Sequence, residues 1–183
     1  MIRWLIKRKL KKFEREFDYD TSYAQEIMAG ELRALLRFSQ AAKLSDYRAG
    51  VPIEAWYAAK LATIFTEDCG PCTQLVVKMA ERDGVRAETL RAVLAGEASK
   101  LEEETALAYR FARAVSERDL QNSNELRQAV VARWGQRGLV SLALTMTGTR
   151  IYPHVKYALG HGRECTLVRV AGEVTPLLRR VAS

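Results

Sequence analysis

Two cysteines two residues apart, in Cys69-Gly70-Pro71-Cys72, form the constellation of this chain whose residue types and spacing carry chemistry. Thiols at this spacing can close a disulfide within one turn of backbone. At the start of a helix they also meet unpaired N–H groups and the positive end of the helix dipole, which favour a thiolate, the nucleophilic form. Pro71 removes an N–H that a first helical turn leaves unpaired anyway, and it stiffens the linker. Glu67 and Asp68 push the other way, because nearby negative charge disfavours a thiolate. The expected activation is therefore moderate.

Three chemistries fit such thiols. A dithiol can cycle with a disulfide. Zinc could be held if His161 and Cys165 joined Cys69 and Cys72 in a Cys3His set, although that set lacks a second tight ligand pair. The cysteines could also be small buried hydrophobes with no chemistry. Redox cycling is the expectation that follows from a CxxC at a helix start. The same tetrad occurs in thioredoxins, where it follows a buried strand. Here the preceding Ala58-Ala-Lys-Leu-Ala-Thr-Ile-Phe-Thr66 is a helical pattern, and no alternating strand–helix series follows.

The elements that must position these thiols are helices. With 183 residues, 48% hydrophobic and 28% charged, the composition is that of a globular chain. Eleven glycines and four prolines leave little room for the turns of a sandwich or barrel. The longest charge-free interval, Gly138 to Thr149, is too short to span a membrane. Apolar residues recur at steps of three and four almost throughout. Helices are expected from Thr21 or Ser22 to about Lys43, weakened and divided at Gly30, and from Ile53 to Thr66, buried on most sides. Others are expected from Gly70-Pro71 to Asp83-Gly84 and from Ala87 to Leu94. A sixth should be capped by Ser99 with Glu102, a seventh by Asn122 to Asn124, and an eighth should run from about Gly135 to Leu159. Thr166 to Val170 and Val174-Thr175, joined through Ala171-Gly-Glu173, read as a short hairpin. The fold is predicted to be all-α, a multi-helix bundle with this C-terminal hairpin. Residues 1–20 form a basic helix, 21–160 the body and 161–183 a tail.

The net charge of +7 is concentrated at the start of the chain, where seven bases between Arg3 and Arg15 face Glu14 and Glu16. The rest is nearly neutral and lacks a basic groove with interleaved aromatics, which argues against a nucleic-acid partner. Ile2, Leu5, Ile6, Leu10, Phe13 and Phe17 give this first helix an apolar stripe beside Trp4. Such a helix can lie on an anionic lipid surface. Packing of the stripe on the core or on a sister subunit is the expectation here, with the bases left in water. Three cysteines in a chain of this size do not make a secreted disulfide scaffold, so a reduced, cytoplasmic setting is expected, with peripheral membrane contact as the alternative.

Trp56-Tyr-Ala-Ala-Lys-Leu-Ala62, Glu67-Asp-Cys-Gly-Pro-Cys72, Asp83-Gly-Val85 and Leu107-Ala-Tyr-Arg-Phe-Ala-Arg113 together resemble the carboxymuconolactone decarboxylase superfamily. Within it the match is to the alkylhydroperoxidase D-like branch that carries CxxC, over about Pro52 to Leu159. The resemblance implies an all-helical oligomer that reduces peroxides through a CxxC disulfide without a cofactor or metal, fed by a thiol electron donor. It implies that Cys72 attacks the peroxide and that Cys69 resolves it. That branch also has a Glu twelve residues before the first cysteine and a His four residues after the second, which relay protons. This chain has Tyr57 and Val76 there, and neither is a base near neutral pH. Glu54, one helical turn before Tyr57, and Glu67 are the carboxylates placed to substitute, with Tyr57 as a further tuning residue. His154 and His161 are the only imidazoles, and packing or surface roles are expected for both.

Overall fold

The computed structural model describes residues 2–162 and 167–175. Among these residues eight helices follow one another: α1 (Ile2–Phe17), α2 (Ser22–Gly30), α3 (Leu32–Ala42), α4 (Ile53–Phe65), α5 (Gly70–Arg82), α6 (Ala87–Ala95), α7 (Glu103–Glu117) and α8 (Leu120–Ala158). Short 3-10 turns occupy Lys43–Asp46 and Ala98–Lys100, and two strands close the order, β1 (Val168–Val170) and β2 (Glu173–Thr175). The all-α expectation with a small hairpin is met. None of the described helices is long and apolar enough to cross a membrane.

Helix α4 is the axis of the bundle because its sequence lets other helices approach closely. Every residue from Ala55 to Ile64 is buried, four of them alanine, and the facing helix α7 answers with Ala106, Ala108 and Ala112. Small side chains on both surfaces bring the backbones together, and Leu61, Ile64, Val77, Leu90, Leu94 and Leu142 fill the space around them. A second, aromatic cluster links α1, α2 and α3 through Phe17, Tyr23 and Leu35, with Tyr152 of α8 packed against it. Its rings meet edge-on: Tyr19–Tyr23, Tyr23–Phe38 and Phe38–Tyr152 lie 6.5, 6.3 and 5.6 Å apart, the geometry that ring quadrupoles favour.

The basic first helix packs as expected over most of its length, with Ile6, Leu10, Phe13 and Phe17 on the aromatic cluster. Its first turn does not. Ile2, Trp4 and Leu5 are about half exposed.

The second predicted helix is divided at Gly30, and Glu31 caps α3 by accepting the Arg33 N–H. The seventh and eighth predicted helices meet at Gly135, where φ of +68° breaks the helical path within α8. Two predicted caps are corrected. Ser99 lies in a 3-10 turn and α7 starts after Glu102, without a side-chain cap. Asp119, not Asn122 or Asn124, caps α8, its carboxylate accepting the Asn122 N–H at 3.1 Å. The hairpin pairs Val168 with Thr175 and Val170 with Glu173. Its turn is two residues rather than three: Ala171 and Gly172 both have positive φ, the I′ pattern that matches strand twist. Gln74 of α5 clasps the Arg169 backbone at 2.9 and 2.7 Å, so the hairpin braces the helix that carries the cysteines.

Candidate redox site

Helix α5 begins at the CxxC motif. Asp68 takes a left-handed turn (φ +50°), and its carbonyl accepts the Tyr157 hydroxyl at 2.7 Å, which fixes the chain as it enters the helix. Cys69 is the extended N-cap residue, and Pro71 stands in the first turn. The Cys69 carbonyl accepts the Thr73 N–H at 2.9 Å and the Thr73 hydroxyl at 3.1 Å, so the motif is tied into the helix it starts. Cys69 and Cys72 are joined as a disulfide with Cα atoms 5.3 Å apart, within the range such a bond spans without backbone distortion. A free Cys72 would stand in the first turn, where unpaired N–H groups and the helix dipole favour its thiolate.

Neither sulfur lies on the outer surface. Cys69 is completely buried and Cys72 is 3% exposed. Cys72 instead lines a cavity of about 170 Å³ where the two cores meet, and Cys69 does not. Val76, Leu75 and Met79 of α5 continue that wall, with Phe13 of α1 and Tyr19, Tyr23 and Tyr152 from the aromatic cluster opposite. The cavity is comparable in size to the roughly 150 Å³ apolar voids that admit a benzene molecule. Burial pushes the Tyr152 phenol up to about 12, and burial raises Tyr19 and Tyr23 further, so all three hold their protons.

Among the described residues that line this space Lys60 is the cation, and a second buried lysine, Lys156 of α8, packs behind the wall with its amine 3.3 Å from the Tyr19 hydroxyl. Lys60 of α4 is 3% exposed, with its amine 4.1 Å above the centre of the Trp56 ring and 4.0 Å from Asp46 Oδ1. Burial pushes it down to about 8, against the pull of Asp46 and Asp83. Lys60 is the residue that sequence reasoning missed. Its signal was a lone lysine inside the run Ala55 to Phe65, otherwise without a charge. A cation in the middle of a helix buried on every side requires an internal polar space.

The predicted relay residues are elsewhere. Glu54 holds Arg86 in a bidentate pair with both distances 2.7 Å and accepts the Thr89 hydroxyl at 3.0 Å, which joins α4 to α6. The Arg86 hydrogen bonds hold its carboxyl below the usual carboxylate range. Tyr57 donates to Asp83 at 2.6 Å, and burial together with that carboxylate raises its phenol. Neither residue lines the cavity. Glu67, two residues before Cys69, pairs with Arg150 at 2.6 Å and lies 3.8 Å from the exposed His154. His161 bonds Glu26 at 2.6 Å and Ser22 at 3.1 Å. Cys165 lies outside the described residues. Among the described residues no group of three or more His, Cys, Asp or Glu is placed to hold a metal ion.

No protein-family model, curated protein or solved structure matches the chain.

Proposed function

We propose that this chain is a thiol–disulfide redox protein that reduces peroxides through Cys69 and Cys72, with the chemistry of the alkylhydroperoxidase D-like branch it resembles. The observation that supports this reading is the geometry of the pair: two cysteines bonded across the first turn of α5, one of them on the wall of a cavity. Cys72 takes the attacking role because it is the sulfur that an oxidant in the cavity meets. Its thiolate attacks one peroxide oxygen, the O–O bond breaks, and the other oxygen leaves with a proton as alcohol or water. Cys72 is then a sulfenic acid. The Cys69 thiol attacks that sulfur, water departs, and the disulfide forms. Two electrons pass from the dithiol to the peroxide, and an external thiol donor restores them by exchange.

Stoichiometric peroxide consumption by the prereduced chain tests this. One equivalent of hydrogen peroxide or of a small organic hydroperoxide is consumed per chain, and Cys72→Ser consumes none. Cys69→Ser consumes its equivalent and leaves a sulfenic acid that dimedone traps. A prereduced wild-type chain that consumes no peroxide contradicts the reading.

Exposed Ile2, Trp4 and Leu5 beside the bases of α1 favour a second reading. It is a non-enzymatic helical oligomer whose first helix meets an anionic membrane surface or an acidic partner, with the cysteines as a redox latch. Salt-sensitive binding to anionic vesicles, lost in Trp4→Ala, together with thiols indifferent to peroxide, would favour it. Both readings take the chain as a homo-oligomer, which sedimentation or light scattering tests.

A further inference from the structure

The reaction proposed above moves a proton twice, off the Cys72 thiol and onto the oxygen that leaves, yet the residues at the usual relay positions do neither. Val76 is on the cavity wall without a titratable group, and Tyr57 is outside the cavity, bonded to Asp83. The remaining polar groups of the wall narrow the choice. Tyr19, Tyr23 and Tyr152 keep their protons, and the hydroxyls of Ser45 and Thr149 are not bases near neutral pH. The side chain of Asp46 is 67% exposed to solvent. Lys60 is buried and opens onto the same small space as Cys72, one from α4 and the other from the first turn of α5.

We propose, on the redox reading above, that Lys60 is the proton carrier of this cavity: its amine takes the proton of the Cys72 thiol and returns it to the oxygen released from the peroxide. The step balances as Cys72–SH plus ROOH giving Cys72–SOH plus ROH. The amine becomes an ammonium and then an amine again. Cys72 and Lys60 both line a space of about 170 Å³, enough for one small peroxide, so a peroxide held there meets both the sulfur that attacks it and the group that carries the proton. The surroundings of Lys60 suit this exchange. Burial lowers the ammonium to about 8, so both forms are accessible near neutral pH. The charges acting on it are Asp46 from the 3-10 turn and Asp83 at the end of α5. The rings of Trp56 and Tyr57 on its own helix face the amine, at 4.1 and 5.5 Å. The phenols of Tyr19, Tyr23 and Tyr152 share the cavity as uncharged neighbours, and the Lys156 amine of α8 packs on the Tyr19 and Tyr23 rings at 4.7 and 5.5 Å.

The test uses the full chain carrying Cys69→Ser and Cys165→Ser, so that Cys72 is the single thiol, and reads two quantities. The first is the pH midpoint of Cys72 alkylation by iodoacetamide, and the second is the rate of sulfenic acid formation with hydrogen peroxide at pH 7. Lys60→Met is expected to raise the midpoint by about one pH unit and to slow the peroxide step roughly 100-fold. Lys60→Arg keeps a cation but releases no proton in this range. It should restore the midpoint and leave the peroxide step slow. Lys60→Gln repeats the Met result if the Met chain fails to fold. An unchanged midpoint and an unchanged rate in Lys60→Met overturn the proposal. If the parent chain does not react with peroxide at all, the redox reading falls and the proton-carrier role of Lys60 falls with it; a reactive parent with an unchanged Lys60→Met overturns the Lys60 role alone.

Discussion

The Tyr57 hydroxyl donates to Asp83 Oδ2 at 2.6 Å and so joins the middle of α4 to the residue that ends α5. Partial burial works against the Asp83 charge, but hydrogen bonds from Arg82 and Tyr57 hold its carboxyl below the usual range. Tyr57→Phe deletes one charge-assisted bond while keeping the ring. A loss of about 1–2 kcal/mol in stability is expected, read from urea unfolding. Peroxide-driven thiol loss should be unchanged, because Tyr57 does not line the cavity.

Glu54 is held by Arg86 and Thr89 and lies off the cavity wall. Because Arg86 lowers its pKa in the folded chain, its contribution to stability is present above the unfolded carboxylate value of about 4.3 and is lost as pH falls through the lower folded value. Glu54→Gln should therefore lower the urea midpoint at pH 7 and flatten its decline on acidification. Cys72 alkylation should stay as in the parent.

Lys60 makes the opposite prediction. Its folded pKa of about 8 lies below the unfolded value of about 10.4, so the unfolded chain binds more protons between those limits and stability rises with pH across them. Lys60→Met removes that rise. The variant should be more stable than the parent at pH 7, by on the order of 3 kcal/mol, with the difference vanishing near pH 10.5. Above about pH 10 both chains lose stability, because the raised phenols of Tyr19, Tyr23 and Tyr152 stay protonated in the fold and ionise on unfolding. Urea unfolding of the oxidised chains from pH 7 to 11 measures both limbs.

Gly148 is where α8 presses on the 3-10 turn that supplies Ser45 and Asp46 to the cavity. A Cβ there would lie 2.3 Å from the Ser45 nitrogen and 2.8 Å from the Leu44 carbonyl carbon, both backbone atoms. Gly148→Ala must move one element off the other. A loss of about 3 kcal/mol is expected by chemical denaturation, with Cys72 alkylated faster as the wall opens.

The sequence pattern carried the helices because apolar periodicity and backbone chemistry act locally. Gly135 interrupts its helix through its positive φ, α2 ends at Gly30 where Glu31 turns extended, and Ala171-Gly172 sets its own turn. Caps do not separate by local chemistry, because Asp119, Asn122 and Asn124 offer similar acceptors and the completed α7–α8 corner selects Asp119. The cysteine pair was readable from spacing, whereas its surroundings were not. Helical spacing puts Glu54 near Tyr57, but Arg86 and Asp83, 32 and 26 residues further along the chain, draw them to separate partners. Lys60 has its place because α1, α2 and α8 converge over it, and that long-range packing leaves no local trace beyond a charge in an apolar run.

Intact-mass analysis after complete alkylation tests the dithiol–disulfide account most directly. The chain has three cysteines. The reduced protein should carry three alkyl groups. After one equivalent of hydrogen peroxide it should carry one, mapping to Cys165, with Cys69 and Cys72 recovered as a single disulfide-linked peptide that dithiothreitol reopens. Three labels retained after peroxide, or a loss that maps to Cys165, would contradict the account.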